Sequence, residues 1–224
     1  MFLSRIALDL QRRDTVRALA SPHIFHGAVE SSLLGSGNEK RERSLWRVDH
    51  LGGLSYLLIL SQERPSLNNI AKQFGAAHKE PPWETKCYLT LLDGLQAGQN
   101  VRFRLRANPV RSSSAEKHET TGRGKVFAHV TLEQQKGWLL SRAEAHGFML
   151  SETSFDVVHT EWKKFRKKMG AGQEVALRIA DFEGRLTVVN AELFRNTLTL
   201  GLGRAKSYGC GLLTVARERG THDG

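Results

Sequence analysis

Residues 43–61 read RSLWRVDHLGGLSYLLILS, and this stretch predicts a β-hairpin. One strand is predicted from Arg43 to Leu51 and a second from Leu54 to Ser61, because two runs that contain large apolar residues flank a glycine pair. Gly52-Gly53 supplies the turn, since glycine accepts the positive φ angles that two-residue hairpin turns require. This hairpin is the centre of the predicted first half of the chain.

Other predicted elements flank the hairpin in a regular order. A strand at 2–9 precedes it, followed by a helix with Ser21 as N-cap and Pro22 as first helical residue. A short helix at 67–74 and a strand at 86–92 come after it. The order β-α-β-β-α-β is that of a ferredoxin-like fold.

The second half repeats this order more loosely. Its predicted elements are a strand at 101–108, a helix at 131–146 with a Thr131–Gln134 capping box, a hairpin of strands at 174–182 and 185–189 turning at Glu183-Gly184, a helix at 191–200 and a strand at 212–217. The polar, Gly-rich segment 111–125 is expected to be a mobile loop. The sequence therefore predicts an α+β protein of two tandem ferredoxin-like domains, at 1–94 and 98–217.

The charge balance indicates a polyanionic partner. Lys and Arg exceed Asp and Glu, which gives a net charge of +10 and a pI near 9.9. Nucleic acid is the favoured partner, because neutralised phosphates release condensed counterions. An anionic membrane surface is the main alternative.

Several features predict a cytoplasmic protein. No apolar run approaches the roughly 18 residues that a transmembrane helix needs, and the first ten residues lack the layout of a signal peptide. Cys87 and Cys210 fit no CxxC pattern, so both are interpreted as small core residues in a reducing compartment.

His23 and His26 are candidate catalytic residues on the first predicted helix. Phe25, Val29 and Leu33 share its apolar stripe, which leaves His26 off the core. A helix start attracts phosphate, and imidazole exchanges protons near neutral pH. The alternative is a pair of solvated surface histidines. A metal site is not expected, because HExxH and a carboxylate cluster are both missing from the sequence.

Two further segments are suited to binding phosphates. The segment GLGRAKSYGCG at 201–211 combines glycines, which let backbone approach a ligand, with the donors Arg204, Lys206 and Ser207. It fits neither a dinucleotide fingerprint nor a P-loop, and a flexible turn before the last strand is the alternative.

The second segment is basic and aromatic. Its cations are Lys163, Lys164, Arg166, Lys167 and Lys168. Local spacing of apolar residues across 155–169 favours a helix, whereas the ferredoxin-like order favours one arm of a long hairpin, and we predict the hairpin. Arg123 and Lys125 are added as candidate RNA-binding residues.

Four segments together resemble one known family. They are SPHIFH at 21–26, FRLRANP at 103–109, FEGRL at 182–186 and GLGRAKSYGCGLL at 201–213. In this order and spacing the chain resembles the CasE-type CRISPR RNA endoribonucleases, the repeat-processing subunits of type I-E Cascade complexes. The resemblance extends over residues 1–216.

The resemblance implies a tandem ferredoxin-like fold and a specific reaction. It implies cleavage of precursor CRISPR RNA within each repeat, at the base of the stem-loop, without metal or cofactor. The 2′-hydroxyl would attack, leaving a 2′,3′-cyclic phosphate and a 5′-hydroxyl. The implied partners are repeat RNA and the other Cascade subunits.

The resemblance also assigns roles to residues. His26 takes the place of the catalytic histidine, and His23 stands where some members have tyrosine, so its role stays open. Lys206 matches the lysine of the glycine-rich loop, and the 163–168 region matches the basic hairpin that grips the RNA stem. The alternative function is an RNA-binding subunit that does not cut.

Overall fold

The computed structural model describes residues 1–33, 44–76, 81–117, 124–166 and 174–217. The helices are α1 (Arg13–Ala20), α2 (His23–Ser32), α3 (Asn68–Phe74), α4 (Leu89–Asp93), α5 (Leu132–Ala143) and α6 (Ala191–Leu200). The strands are β1 (Phe2–Leu8), β2 (Leu45–Leu51), β3 (Leu54–Ser61), β4 (Trp83–Cys87), β5 (Asn100–Ala107), β6 (Val110–Lys117), β7 (Gly124–Ala128), β8 (Phe148–Met149), β9 (Phe155–Arg166), β10 (Glu174–Val188) and β11 (Leu213–Arg217). Within the described ranges, no helix is both long enough and apolar enough to cross a membrane.

The first sheet has the order β2-β3-β1-β4, and all its neighbouring strands are antiparallel. Leu51 pairs with Leu54 across the turn, where Gly52 and Gly53 have φ angles of +57° and +77°. The predicted hairpin is therefore confirmed, and both turn residues have the positive φ angles that favour glycine. The strand order is that of a ferredoxin-like fold.

The segment between β1 and β2 differs from the prediction. An unpredicted helix, α1, comes first, and Ser21 ends it by donating its backbone N–H to Arg17 O. Ser21 does not cap α2 with its side chain, because its hydroxyl contacts His23 Nδ1 at 3.0 Å instead. The strand predicted at 86–92 is also wrong in its second part, where the chain turns into α4.

The second sheet has the order β11-β5-β10-β8, with β9 also paired to β10. The hairpin prediction for the basic segment is confirmed over the described residues of β9, where Arg166 pairs with Glu174. The capping box of Thr131 and Gln134 is confirmed as well.

The hairpin turn predicted at Glu183-Gly184 is wrong, because β10 runs straight through these residues. Gly184 instead permits a close approach of β9. A Cβ atom at this position would lie 2.3 Å from Ser154 O and 2.5 Å from Phe155 Cα.

The mobile loop predicted at 111–125 is also wrong over the described residues. β6 and β7 form a separate two-stranded antiparallel pair, in which Ser112 pairs with Val126. Backbone hydrogen bonding needs no apolar pattern, so a polar sequence can form such a ribbon. Arg111 covers the Phe127 ring at 5.1 Å, which adds a contact between the two strands.

The two sheets meet at β2, where a cation is buried. Arg47 and Asp49 are 1% and 6% exposed. Arg47 donates to Arg104 O at 2.8 Å, to Leu212 O at 2.7 Å and to Thr214 Oγ1 at 2.8 Å. A side chain of the first sheet thus bonds to β5, to β11 and to the residue before β11. Of the two cysteines, Cys210 is buried as predicted, whereas Cys87 is exposed, which corrects that interpretation.

Candidate active site

His23 lies at the start of α2, beside the end of β9. Its Nδ1 atom contacts Ser21 Oγ, and its ring stacks on Phe165 with centroids 6.2 Å apart and planes 21° from parallel. Phe165 is 7% exposed although it belongs to a basic strand. The stacking explains why an aromatic residue interrupts the basic segment.

The Gly-rich loop at 201–211 also packs on Phe165. The ring of Tyr208 meets Phe165 edge-on, with centroids 4.9 Å apart. Gly209 has a φ of +79°, and a Cβ atom there would lie 2.7 Å from the Trp46 ring. The loop is anchored to the second sheet by Gly211, whose N–H donates to Arg106 O at 2.7 Å. Glycine is therefore required here by backbone conformation and by close packing against the first domain.

His26 lies one turn further along α2, with 36% of its side chain exposed. Its Nδ1 atom is 3.9 Å from Glu30 Oε1, and Glu30 also accepts a hydrogen bond from Ser44 Oγ at 3.0 Å. Phe25 and Val29 point into the core as the apolar stripe predicts. His26 is thus a partly exposed, oriented histidine, with Glu30 as a neighbour that the sequence pattern had not assigned a role.

The start of α2 offers fewer free donors than the sequence suggests. Pro22 has no N–H, and the Ile24 and His26 N–H groups donate to Ser21 O and Pro22 O at 3.0 and 3.1 Å. A phosphate beside this turn would therefore depend on side-chain cations more than on backbone donors.

The other predicted RNA-binding residues differ in their exposure and in their position in the fold. Arg204, Lys164 and Arg166 are exposed, whereas Ser207 and Lys206 are half-buried within the loop. Lys163 is 3.5 Å from Glu161 and faces a cleft. Lys125 lies in β7, 3.9 Å from Glu116, outside the two main sheets. Arg123, Lys167 and Lys168 lie outside the described residues.

The cleft has a volume of about 450 Å³ and lies between α2, β2 and the open face of the second sheet. Its arginines are already paired. Arg104 contacts Glu183, and Arg106 contacts Asp181 at 2.9 Å and Glu161. Charges matched in this way reduce the attraction of the cleft for phosphate. Lys163 of the basic segment and Tyr208 and Gly209 of the Gly-rich loop also line the cleft, so it adjoins the candidate site.

Two carboxyl groups of the cleft have pKa values shifted in opposite directions. Burial raises the pKa of Asp181 above its ordinary value, although Arg106 opposes this. Burial also acts to raise the pKa of Glu161, but Arg106 and Lys163 outweigh it and hold that pKa below its ordinary value. In the part of the chain that the structure describes, no three His, Cys, Asp or Glu side chains are grouped as a metal site would require.

Comparison with known proteins identifies the family of the chain. The family described as CRISPR associated protein matches residues 1–217. The CRISPR-associated endoribonuclease Cse3 of Thermus thermophilus is 32% identical over 223 residues, which cover 96% of this chain and 100% of Cse3. The chain belongs to the Cse3/CasE family of CRISPR endoribonucleases.

A second member of the Cse3/CasE family and a solved structure of Cse3 are also similar to this chain. The Cascade subunit CasE of Escherichia coli is 28% identical over 126 residues, which cover 54% of this chain and 60% of CasE. A structure of Thermus thermophilus Cse3 bound to an RNA representing a pre-cleavage complex superposes with a TM-score of 0.75 at 28% identity. The match covers 96% of this chain and 98% of that one. The tandem ferredoxin-like fold predicted from the sequence is confirmed.

Proposed function

We propose that this protein cleaves precursor CRISPR RNA within its repeats, at the base of the stem-loop. The observation that carries the proposal is the packing of α2, the helix that contains His23 and His26, against the Gly-rich loop and the end of the basic hairpin. Phe165 joins these elements by touching both His23 and Tyr208. The homologous Cse3, seen with a pre-cleavage RNA, supports the same activity for this chain.

The proposed reaction needs two proton transfers and no metal. The 2′-hydroxyl attacks the adjacent phosphorus, the bond from phosphorus to the 5′-oxygen breaks, and a 2′,3′-cyclic phosphate and a 5′-hydroxyl result. One group takes the proton of the 2′-hydroxyl, and another supplies a proton to the departing oxygen. Because Nδ1 of His26 lies beside Glu30, Nε2 is the nitrogen left to exchange a proton with RNA.

Charge develops on the phosphate oxygens as the new bond forms. Lys206 is a cation of the Gly-rich loop, and the proposal assigns it to these oxygens. His23 is held by Ser21 and Phe165, so its ring is oriented before RNA binds. Such preorganisation lowers the barrier because no side chain must be ordered during the reaction.

The basic hairpin has a separate role in the proposal. Lys164 and Arg166 are exposed on β9, where they can hold phosphates of the RNA stem. Double-stranded RNA is recognised mostly by shape and backbone contacts, which suits a cationic hairpin. We assign the cleaved RNA to a Cascade complex that retains it, by analogy with the Cascade subunit CasE.

One incubation tests the proposal. Purified protein is mixed with repeat RNA from its host in the presence of EDTA, and products are resolved on a denaturing gel. We expect cleavage by the wild type and no cleavage by His26→Ala, which still binds the RNA. His50→Ala is the matched control, because His50 is an exposed histidine whose Nδ1 atom lies 2.7 Å from Ser55 Oγ.

The outcomes separate the alternatives. RNA binding without product from the wild type would make the protein a non-cutting RNA-binding subunit. Cleavage that stops on adding EDTA would contradict the metal-independent mechanism. Binding to anionic vesicles but not to hairpin RNA would point to a membrane-surface protein.

A further inference from the structure

The first residues of β2 support the Gly-rich loop. A Cβ atom on Gly201 would lie 2.9 Å from Cδ1 of Leu45, and one on Gly209 would lie 2.7 Å from Cζ3 of Trp46. Leu45 and Trp46 are 1% and 3% exposed. Both ends of the loop therefore rest on the start of β2, which fixes the position of the loop relative to the first sheet.

Ser44, the residue before β2, connects this support to α2. It is 6% exposed, and its hydroxyl donates to Glu30 Oε1 at 3.0 Å. Phe25 of the same helix packs on the Trp46 ring, with centroids 5.7 Å apart. The Glu30 carboxylate is thus held from outside its own helix by a buried group that adjoins β2.

The same carboxylate oxygen faces His26. Glu30 and His26 are four residues apart on α2, so their side chains lie on one face of the helix. Oε1 of Glu30 is 3.9 Å from Nδ1 of His26, a separation at which an ion pair forms when the imidazole is protonated. One oxygen therefore joins a buried hydroxyl to the candidate catalytic histidine.

A purely structural role for Glu30 would be to fasten α2 to β2. That role needs only an acceptor for the Ser44 hydroxyl, which the neutral amide of glutamine would also supply. It does not require the accepting oxygen to face an imidazole or to carry charge. A carboxylate beside Nδ1 has a further effect, because it stabilises the imidazolium and favours the neutral tautomer that is protonated at Nδ1.

We infer that Glu30 is a positioning residue for RNA cleavage, which holds His26 with Nδ1–H toward the carboxylate and Nε2 toward RNA, and that Ser44 fixes Glu30 for this role. The inference rests on the proposed function for the identity of the reaction. Nε2 gains a proton from the 2′-hydroxyl or passes one to the departing 5′-oxygen. The Nδ1 proton stays on the ring, and Glu30 stays ionised. RNA bound over the site would exclude water, which strengthens the attraction between carboxylate and imidazolium.

The test combines cleavage rates with the protonation of the ring. Single-turnover rates are measured with saturating repeat RNA in EDTA, and affinity is measured with repeat RNA that has a 2′-deoxy nucleotide at the scissile position. Nitrogen-15 NMR of the free protein, at about pH 8.5 where an ordinary imidazole is neutral, reports which ring nitrogen carries the proton. The signal of His26 is assigned by its loss in His26→Ala, and thermal denaturation checks that every variant is folded.

Glu30→Gln is the main variant, because it keeps an acceptor for Ser44 and removes the charge. Asp14→Asn on α1 is the matched control, since it makes the same change in net charge. The Asp14 carboxylate is also in a helical ion pair, 3.8 Å from Arg17 Nη1, and also accepts from another element, from Gln73 Nε2 at 3.4 Å.

We expect Glu30→Gln to cleave about tenfold more slowly, a part of what acid–base catalysis contributes, with unchanged RNA affinity. The tautomer of His26 that is protonated at Nε2 should gain population. Glu30→Asp keeps the charge and should retain more of the rate. Ser44→Ala should slow cleavage less, and adding it to Glu30→Gln should cause no further loss, because the two residues act as one unit. Asp14→Asn should match the wild type in all three measurements.

Three results would overturn the inference. A wild-type rate and tautomer in Glu30→Gln would leave Glu30 as a fastening between α2 and β2. An equal loss of rate in Asp14→Asn would reflect net charge alone. A slower rate with an unchanged tautomer would exclude a role through His26. If the wild type does not cut repeat RNA, the proposed function fails, and the NMR comparison still decides whether Glu30 sets the protonation of His26.

Discussion

Arg47 and Asp49, two residues apart on β2, form a bidentate ion pair that is buried where the two sheets meet. The two contacts measure 2.6 and 2.7 Å. Arg47 also donates to Arg104 O, Leu212 O and Thr214 Oγ1, so all five of its guanidinium N–H groups form hydrogen bonds where the two sheets meet. Arginine is suited to this position because its planar group reaches several acceptors at once.

Replacing Arg47 by Ala should destabilise the protein by about 3–5 kcal/mol, because Asp49 would remain buried without its partner. Urea unfolding measures the change. Arg5→Ala serves as the comparison, since the Arg5–Glu84 pair is about half-exposed and should contribute little. Equal losses in the two variants would show that the buried pair has no special importance.

His23→Phe should separate the stacking role of His23 from a role in proton transfer. Phenylalanine preserves the contact with Phe165 but has no ring nitrogens. If His23 exchanges a proton, the single-turnover cleavage rate should fall about 100-fold while RNA affinity changes little. His23→Tyr, which restores an exchangeable proton, should recover part of the rate. A wild-type rate in His23→Phe would assign His23 to stacking alone.

Gly209→Ala should impair cleavage more than the loss of stability from backbone strain would explain. Its Cβ would strike the Trp46 ring and displace the Gly-rich loop. Gly98→Ala is the control, because Gly98 has a similar φ of +85° but open space around the added atom. Both variants should lose about 1–2 kcal/mol from backbone strain. Only Gly209→Ala is expected to lose cleavage, measured under single-turnover conditions.

The two cysteines should differ strongly in reactivity. Cys210 is fully buried, and burial raises the pKa of its thiol to about 12. Cys87 is exposed on β4. Because the thiolate is the reactive form, a chromogenic thiol reagent at neutral pH should modify one cysteine rapidly in the native protein and two after denaturation. Rapid modification of both in the native state would contradict the burial of Cys210.

Stability should decline as the solution is acidified below neutral pH. His129 and His146 have lowered pKa values in the folded protein, so the unfolded chain binds protons first as pH falls through about 6.5. The free energy of unfolding should therefore decrease from pH 7.5 to about pH 5.5. The slope should be shallower in a His129→Gln, His146→Gln double variant. Identical slopes would show that these histidines are not responsible.

The sequence predicts the fold well wherever local patterns act alone. The Gly52-Gly53 hairpin, the Thr131 capping box and the α6 boundaries follow from turn chemistry and helix periodicity. The turn at Glu183-Gly184 is wrong, because a glycine signals close approach as readily as a turn, and only the neighbouring strand decides between them. The loop at 111–125 is wrong because strand pairing can satisfy the backbone of a polar segment.

The candidate site is less accessible from sequence. The spacing of His23 and His26 indicates a helix. It does not predict their packing with Phe165 or Tyr208, because these residues are distant in the sequence.

The contact of Phe165 with both His23 and Tyr208 has a consequence for the nascent chain. Domains generally fold from the N-terminus during synthesis, so α2 and its histidines form early. Tyr208 and the loop around it are translated much later, after β9 and β10. A ribosome-bound fragment ending before residue 201 would therefore contain the candidate catalytic histidines without the loop. Under the proposed function, the nuclease becomes active only late in its own synthesis, when the loop has been translated. Incomplete chains would therefore not cleave cellular RNA.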